Sequence, residues 1–144
     1  MKSIDVMRCK LVKESDFEYD VTNTPESAAG VFRSFGMADA ADEVFVIACL
    51  ATDGSITGIH EISHGDLHST IVHPREVYKR ALLNNAASII LAHNHPSGNI
   101  DPSESDKAVT ERLKAAGELL GVSVLDHIII AREKHFSFQE AGVL

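Results

Sequence analysis

The chain has 144 residues, 44% of them hydrophobic and 24% charged, with a formal net charge of -8. That length suits one domain burying roughly 68–70% of the surface its unfolded chain exposes, enough for a core without metal or disulfide staples. Basic residues number 13 against 21 acidic, and no basic run occurs, which disfavours a surface that tracks nucleic-acid phosphates. Arg75, Lys79 and Arg80, and again Lys107, Arg112 and Lys114, stand at helical spacing expected of solvated faces. They leave room for no more than a local basic patch. Cys9 and Cys49 form no CxxC pair, so two free thiols in a reducing compartment are expected, with Cys49 in the core. No apolar run approaches the length of a membrane span, and the first 20 residues lack the apolar stretch of a signal peptide. The expected location is cytoplasmic.

Weak alternation predicts a first strand within residues 1–14, in an N-terminal segment that ends near residue 23. Thr24-Pro25-Glu26 starts a helix, with a Thr cap, Pro at the first helical position and an acid in the first turn. Ala28, Ala29, Val31, Phe32 and Phe35 give it an apolar face, and Gly36 stops it. Glu43 to Ala51, EVFVIACLA, reads as a buried strand, turned by Asp53-Gly54 into a returning strand ITGIHEIS. A turn at Gly65-Asp66 and a third short strand LHSTIV would complete a meander. Pro74 opens a helix whose apolar face is Val77, Tyr78, Ala81 and Leu82. ASIILAH is a short apolar strand ending at His93. The loop NHPSGNIDP follows, and then the clearest helix in the chain, capped by Ser103 and closed by Gly121. VSVLDHIIIA is a strand, with HFSFQ as an edge strand beside it. The pattern predicts one α/β or α+β domain over residues 24–144, a mixed sheet flanked by helices.

The chemistry concentrates in residues 91–106, LAHNHPSGNIDPSESD. Side chains at i and i+2 of extended chain point the same way, so His93 and His95 can reach one ion. Ser103 and Asp106 share one face of a helix's first turn. Two imidazole nitrogens and one carboxylate oxygen form a three-ligand zinc set with the fourth position open, the pattern of catalytic zinc. Such an ion lowers the pKa of a bound water to about 7 and polarises a carbonyl. A plainer reading competes: Ser103-x-x-Asp106 is also a capping box with Asp in place of Glu, and a loop His pair alone is more often solvated than metal-bound. All four residues in order, between a strand and a capped helix, favour the metal. His60, His64 and His68 are spaced four apart in a β-like stretch, which speaks against a second metal site. His73 is expected to help start the helix at Pro74, His127 to be packed and hydrogen-bonded, and His135 to be exposed.

His93-x-His95, then seven residues, Ser103 and Asp106 match the H-x-H-x7-S-x2-D signature of JAMM (JAB/MPN) zinc metalloproteases. HNHPSG, PSxxD, LLG, LDHIII and IVHPREVYKRAL make residues 24–138 resemble the bacterial RadC-type branch. The resemblance implies a JAB/MPN-like domain of cytidine-deaminase-like architecture binding one Zn²⁺ per chain. It identifies His93, His95 and Asp106 as ligands and Glu43 as the acid/base that takes a proton from the water and hands one to the leaving amine. Glu61 is an alternative that fits the pattern less well. Ser103 would hydrogen-bond the developing oxyanion, a role its hydroxyl can combine with capping. The Asp126-His127 pair belongs to the match, which leaves a supporting role for His127 open. Full-length RadC proteins usually also carry a helix-hairpin-helix region. Too few residues precede the match to hold one, so a stand-alone catalytic-type domain is expected.

Three functions compete. The first is a zinc-dependent hydrolase of a peptide or isopeptide bond, with a peptide or protein substrate. The second is a DNA-repair-associated or nucleic-acid role, which the branch's label suggests and the acidic balance disfavours. The letters HNH are no nuclease signature here, and the H-x-E and P-C-x-x-C of zinc deaminases are missing. The third is a non-catalytic interaction module on the same fold, which the complete ligand set opposes. No membrane contact is expected, and an exposed sheet edge allows a homodimer.

Overall fold

The computed structural model describes residues 1–19, 23–65 and 72–144. Helix α1 spans Pro25–Ser34. Its entry is a true capping box: the Thr24 hydroxyl accepts the Ser27 N–H at 3.1 Å, and the Ser27 hydroxyl accepts the Thr24 N–H at 3.1 Å. A single 3₁₀ turn at Met37–Asp39 follows, entered through Gly36 at φ +100°, a conformation that favours glycine. Strand β1 is Val44–Leu50 and β2 is Ile56–His64, joined at the Asp53-Gly54 turn. Helix α2 is Pro74–Leu83, β3 is Ser88–Asn94, α3 is Glu104–Leu120, β4 is Ser123–Ile130 and β5 is His135–Ser137.

The strands form one sheet in the order β2-β1-β3-β4-β5. β1 pairs antiparallel with both β2 and β3, β3 runs parallel to β4, and β4 is antiparallel to β5. The parallel pair needs a crossover, and α3 supplies it. Every residue of β1 is buried, as expected of a central strand covered on both faces. One face carries Val46, Ala48, Ile90, Ala92, Ile128 and Ile130 under α1. The other packs Phe45, Ile47, Ile89 and Leu91 against α2 and α3, whose contacts include Val77, Tyr78 and Leu113. The predicted mixed sheet flanked by helices is the observed fold.

Several expectations need correction. Residues 1–14 form no strand; they lie without regular structure, with Ile4, Val6 and Met7 exposed. The apolar positions change phase, with Ile4 and Val6 on one face and Met7, Cys9 and Leu11 on the other, so no single face is apolar throughout. Near the end of the N-terminal segment the Tyr19 hydroxyl accepts the Ile56 N–H at 2.9 Å. Phe35 and Leu82 lie on the edges of their helices' apolar faces and are partly exposed rather than in the core, and Phe35 meets the Phe17 ring instead. Most of the predicted strand LHSTIV, together with His68 and Asp66, lies outside the described residues. No helix among the described residues is long and apolar enough to cross a membrane. Cys49 is buried and Cys9 exposed; burial pushes the Cys49 thiol up to about 12.

Candidate metal centre

The site forms where β3 ends and α3 begins. His93 is in β3, and His95 sits just beyond it. The ladder to β4 continues through His95, whose N–H donates to the Ile130 carbonyl at 2.9 Å. The chain therefore stays extended, and both imidazoles face the same side. The loop then turns through Gly98 at φ +87° and returns to the N-terminus of α3. There Ser103 and Asp106 form a reciprocal capping box. The Asp106 N–H donates to the Ser103 hydroxyl at 3.1 Å, and the Ser103 N–H donates to Asp106 Oδ2 at 2.9 Å. Asp106 heads the buried stripe Asp106, Thr110, Leu113 and Gly117 that faces the sheet. Capping and convergence are thus one arrangement: the cap fixes the carboxylate that meets the histidines.

His93 Nε2 lies 2.9 Å from His95 Nε2 and 3.2 Å from Asp106 Oδ1, while His95 Nε2 lies 3.3 Å from Asp106 Oδ2. Among the described residues, these three are the group whose ligand atoms could hold a metal ion. A tetrahedral zinc with ligands at about 2.0–2.1 Å sets its donor atoms about 3.3 Å apart. The observed spacings match that within a few tenths of an ångström, so the donor set fits the ion in type and in size. His93 is fully buried and Asp106 nearly so.

Electrostatics agree. Burial by itself would push the Asp106 carboxyl up, but the adjoining His93 and His95 imidazoles and the Ser103 N–H hold it well below the usual carboxylate range. Its hydrogen bond raises His95 in turn, with a smaller contribution from the charge of Glu43. His127 is pushed well below the ordinary value, first by burial and then by the neighbouring His93.

Glu43 is half-buried immediately before β1. Phe45 pairs with His93, so the same antiparallel register carried two residues further sets Glu43 beside His95. Asn94 pins this segment from the other side of the strand. Its Oδ1 accepts the Val44 N–H at 2.6 Å and its Nδ2 donates to the Asp42 carbonyl at 3.0 Å. Glu61 is elsewhere: it pairs with Val46, a residue of the α1 face, and its carboxylate contacts His64 at 2.9 Å.

Among the described residues, the remaining histidines are structural or peripheral, except one. His60 bonds Asn84 at 2.6 Å, and His64 bridges Glu61 and Asp42 on the surface. His73 occupies the cap position of α2 through its backbone carbonyl alone. His135 is half-buried rather than exposed, because it pairs with Ile130. His127 is fully buried, with its Nε2 2.7 Å from His93 Nδ1 and its Nδ1 2.5 Å from the Thr110 hydroxyl. Sequence reasoning passed over Thr110 and Asn94. The signal for Thr110 was its position one turn after Asp106; for Asn94, which faces away from the histidines, no local signal existed. An open cleft of about 460 Å³ reaches His95 from the α1 side, with Ala38, Ala40, Asn94 and Arg132 in its walls; His93, Asp106, Ser103 and Glu43 do not line it.

A family model described as a RadC-like JAB domain matches residues 22–143. The chain is similar to a UPF0758 protein of Thermotoga maritima, 44% identical over 102 residues, which are 71% of this chain and 46% of that protein. It is 44% identical over 124 residues to a UPF0758 protein of Rubrobacter xylanophilus, 86% of this chain and 54% of that one. A third, from Alkaliphilus oremlandii, is 51% identical over 98 residues, 68% of this chain and 42% of its own. The chain spans about half the length of the curated relatives it matches.

Proposed function

Because the chain belongs to the RadC-like JAB domain family, we propose that it is a zinc-dependent hydrolase of a peptide or isopeptide bond. The observation that carries this reading is the convergence of His93, His95 and Asp106 at tetrahedral spacing. Two imidazoles and a carboxylate form a donor set suited to zinc with a position left open. Zinc held there supplies a Lewis acid that acidifies a water and polarises a carbonyl.

The chain's own residues do the rest. The Glu43 carboxylate takes the proton released by the water and delivers it to the leaving amine nitrogen, a role its seat next to His95 supports. The Ser103 hydroxyl accepts the Asp106 N–H and keeps its own proton to donate to the oxygen that gains charge. Because the relatives are about twice as long, the proposal concerns this domain's chemistry, and the substrate of a longer protein is a separate question.

Zinc analysis and a peptide and isopeptide library screen test it. Wild type should hold about one zinc per chain. Glu43→Gln should keep that zinc and lose cleavage by about 10²–10⁴-fold. A wild-type protein that takes up no zinc, or a Glu43→Gln variant that cleaves as fast as wild type, sinks the reading.

A further inference from the structure

His93 and His95 reach the centre through Nε2, yet their other nitrogens are held in different ways. His95 Nδ1 lies 2.5 Å from the Asn99 carbonyl. A carbonyl only accepts, so the proton of a neutral His95 sits on Nδ1 and Nε2 carries a lone pair. His93 meets no carbonyl. Its Nδ1 faces another histidine, His127, and an imidazole can donate or accept. Something further along must decide which ring gives the proton.

That decision is made at Thr110. Its hydroxyl lies 2.7 Å from the Asp106 carbonyl and 2.5 Å from His127 Nδ1. The hydroxyl has one proton, and the carbonyl takes it. The hydroxyl therefore accepts at its other contact, and His127 must carry its proton on Nδ1. A neutral ring has only one, so His127 Nε2 is a lone pair and accepts from His93 Nδ1–H. His93 Nε2 is left with its lone pair facing the point where His95 Nε2 and Asp106 converge. Reversing any bond would require Thr110 to abandon the Asp106 carbonyl.

The packing keeps His127 in place for this. Phe138 stacks on its ring at 4.7 Å between centroids, and Phe45 meets it edge-on at 5.6 Å. The backbone makes a specific accommodation as well. Ile89 pairs with Val124 but Ile90 pairs with Asp126, so Leu125 is an extra residue in β4. Without that bulge, strict alternation from Val124, which packs on the α2 and α3 face, would send His127 to the opposite side.

We propose that Thr110 and His127 are positioning residues that hold His93 in its Nδ1–H tautomer and so present the Nε2 lone pair to the cation. The proposal rests on the metal-centre reading above. The residue that contributes the carboxylate also contributes, through its backbone carbonyl, the acceptor that sets the direction of the whole chain of hydrogen bonds.

Two measurements on the full chain test it. Long-range ¹⁵N–¹H NMR of the imidazoles in metal-free protein should show both His93 and His127 as Nδ1–H tautomers. In Thr110→Val the His127 proton should move towards Nε2 and the Nδ1–H share of His93 should fall; Thr110→Ser should restore both. Zinc affinity, by chelator competition, should weaken about 10–100-fold in Thr110→Val and recover in Thr110→Ser. Thr110→Ala serves as the second variant if Thr110→Val does not fold. An Nε2–H tautomer on wild-type His93, or a Thr110→Val protein with unchanged tautomers and zinc affinity, overturns the proposal. If wild type takes up no zinc, the hydrolase reading falls, and the metal-free spectra alone still decide for or against the relay.

Discussion

The two faces of the sheet use the same strands differently. Under α1, β3 contributes Ile90 and Ala92 and β4 contributes Ile128 and Ile130, an apolar layer. Under α2 and α3, the layer begins the same way with Ile89 and Leu91 but ends in His93, His127, Thr110 and Asp106, all buried. Burying four polar side chains is costly unless each finds a partner. Here each does, and the partners are one another. The α1 face supplies packing and, through Asn94, holds the start of β1, while the mixed face grades from core into site along a single strand. The site is the continuation of a core.

That contrast can be broken in three ways. The largest expected effect is on metal. Asp106→Asn should reduce zinc from about one per chain to near none, whereas Ile128→Ala on the opposite face should leave the stoichiometry alone while costing about 2–5 kcal/mol in denaturant unfolding. If Ile128→Ala also lost zinc, the two faces would not be separable.

The second is pH. Burial holds His127 well below its ordinary value, so below pH about 6.5 the unfolded chain binds a proton that the folded one refuses. Stability therefore falls as pH falls through that value. His95 is raised by Asp106, so its contribution is fully present below pH about 6.5 and is lost as pH rises through the raised value. In metal-free protein, melting temperatures from pH 5 to 8 should show His127→Gln flattening the acid side and His95→Gln flattening the other. A variant that leaves its own limb unchanged would refute the assignment.

The smallest is the cap. Ser103→Ala removes the acceptor for the Asp106 N–H and should cost about 1 kcal/mol, with a weaker hold on zinc because the carboxylate is less fixed. Calorimetry and chelator competition on the same sample read both, and a change in neither would separate cap from centre.

Much of this was legible before any coordinates. His93 and His95 sharing a side follows from extended backbone. The Ser103–Asp106 box and the Gly121 stop follow from helix ends. These are short-range matters, decided by φ and ψ preferences and by hydrogen bonds within a few residues. The false strand at residues 1–14 shows the limit: alternation alone forms nothing without a partner edge and an apolar face to bury.

What the tertiary structure alone decided is of another kind. Glu43 sits beside His95 because β1 pairs with β3 in one register, and Asn94 fixes that register from the opposite face. His127 reaches His93 only because Leu125 is an extra residue in β4. Register and bulges depend on which strand lies alongside, information that no local stretch holds. The sequence by itself determined which residues could bind an ion; the packing of one strand against another decided which side chains would hold them ready for it.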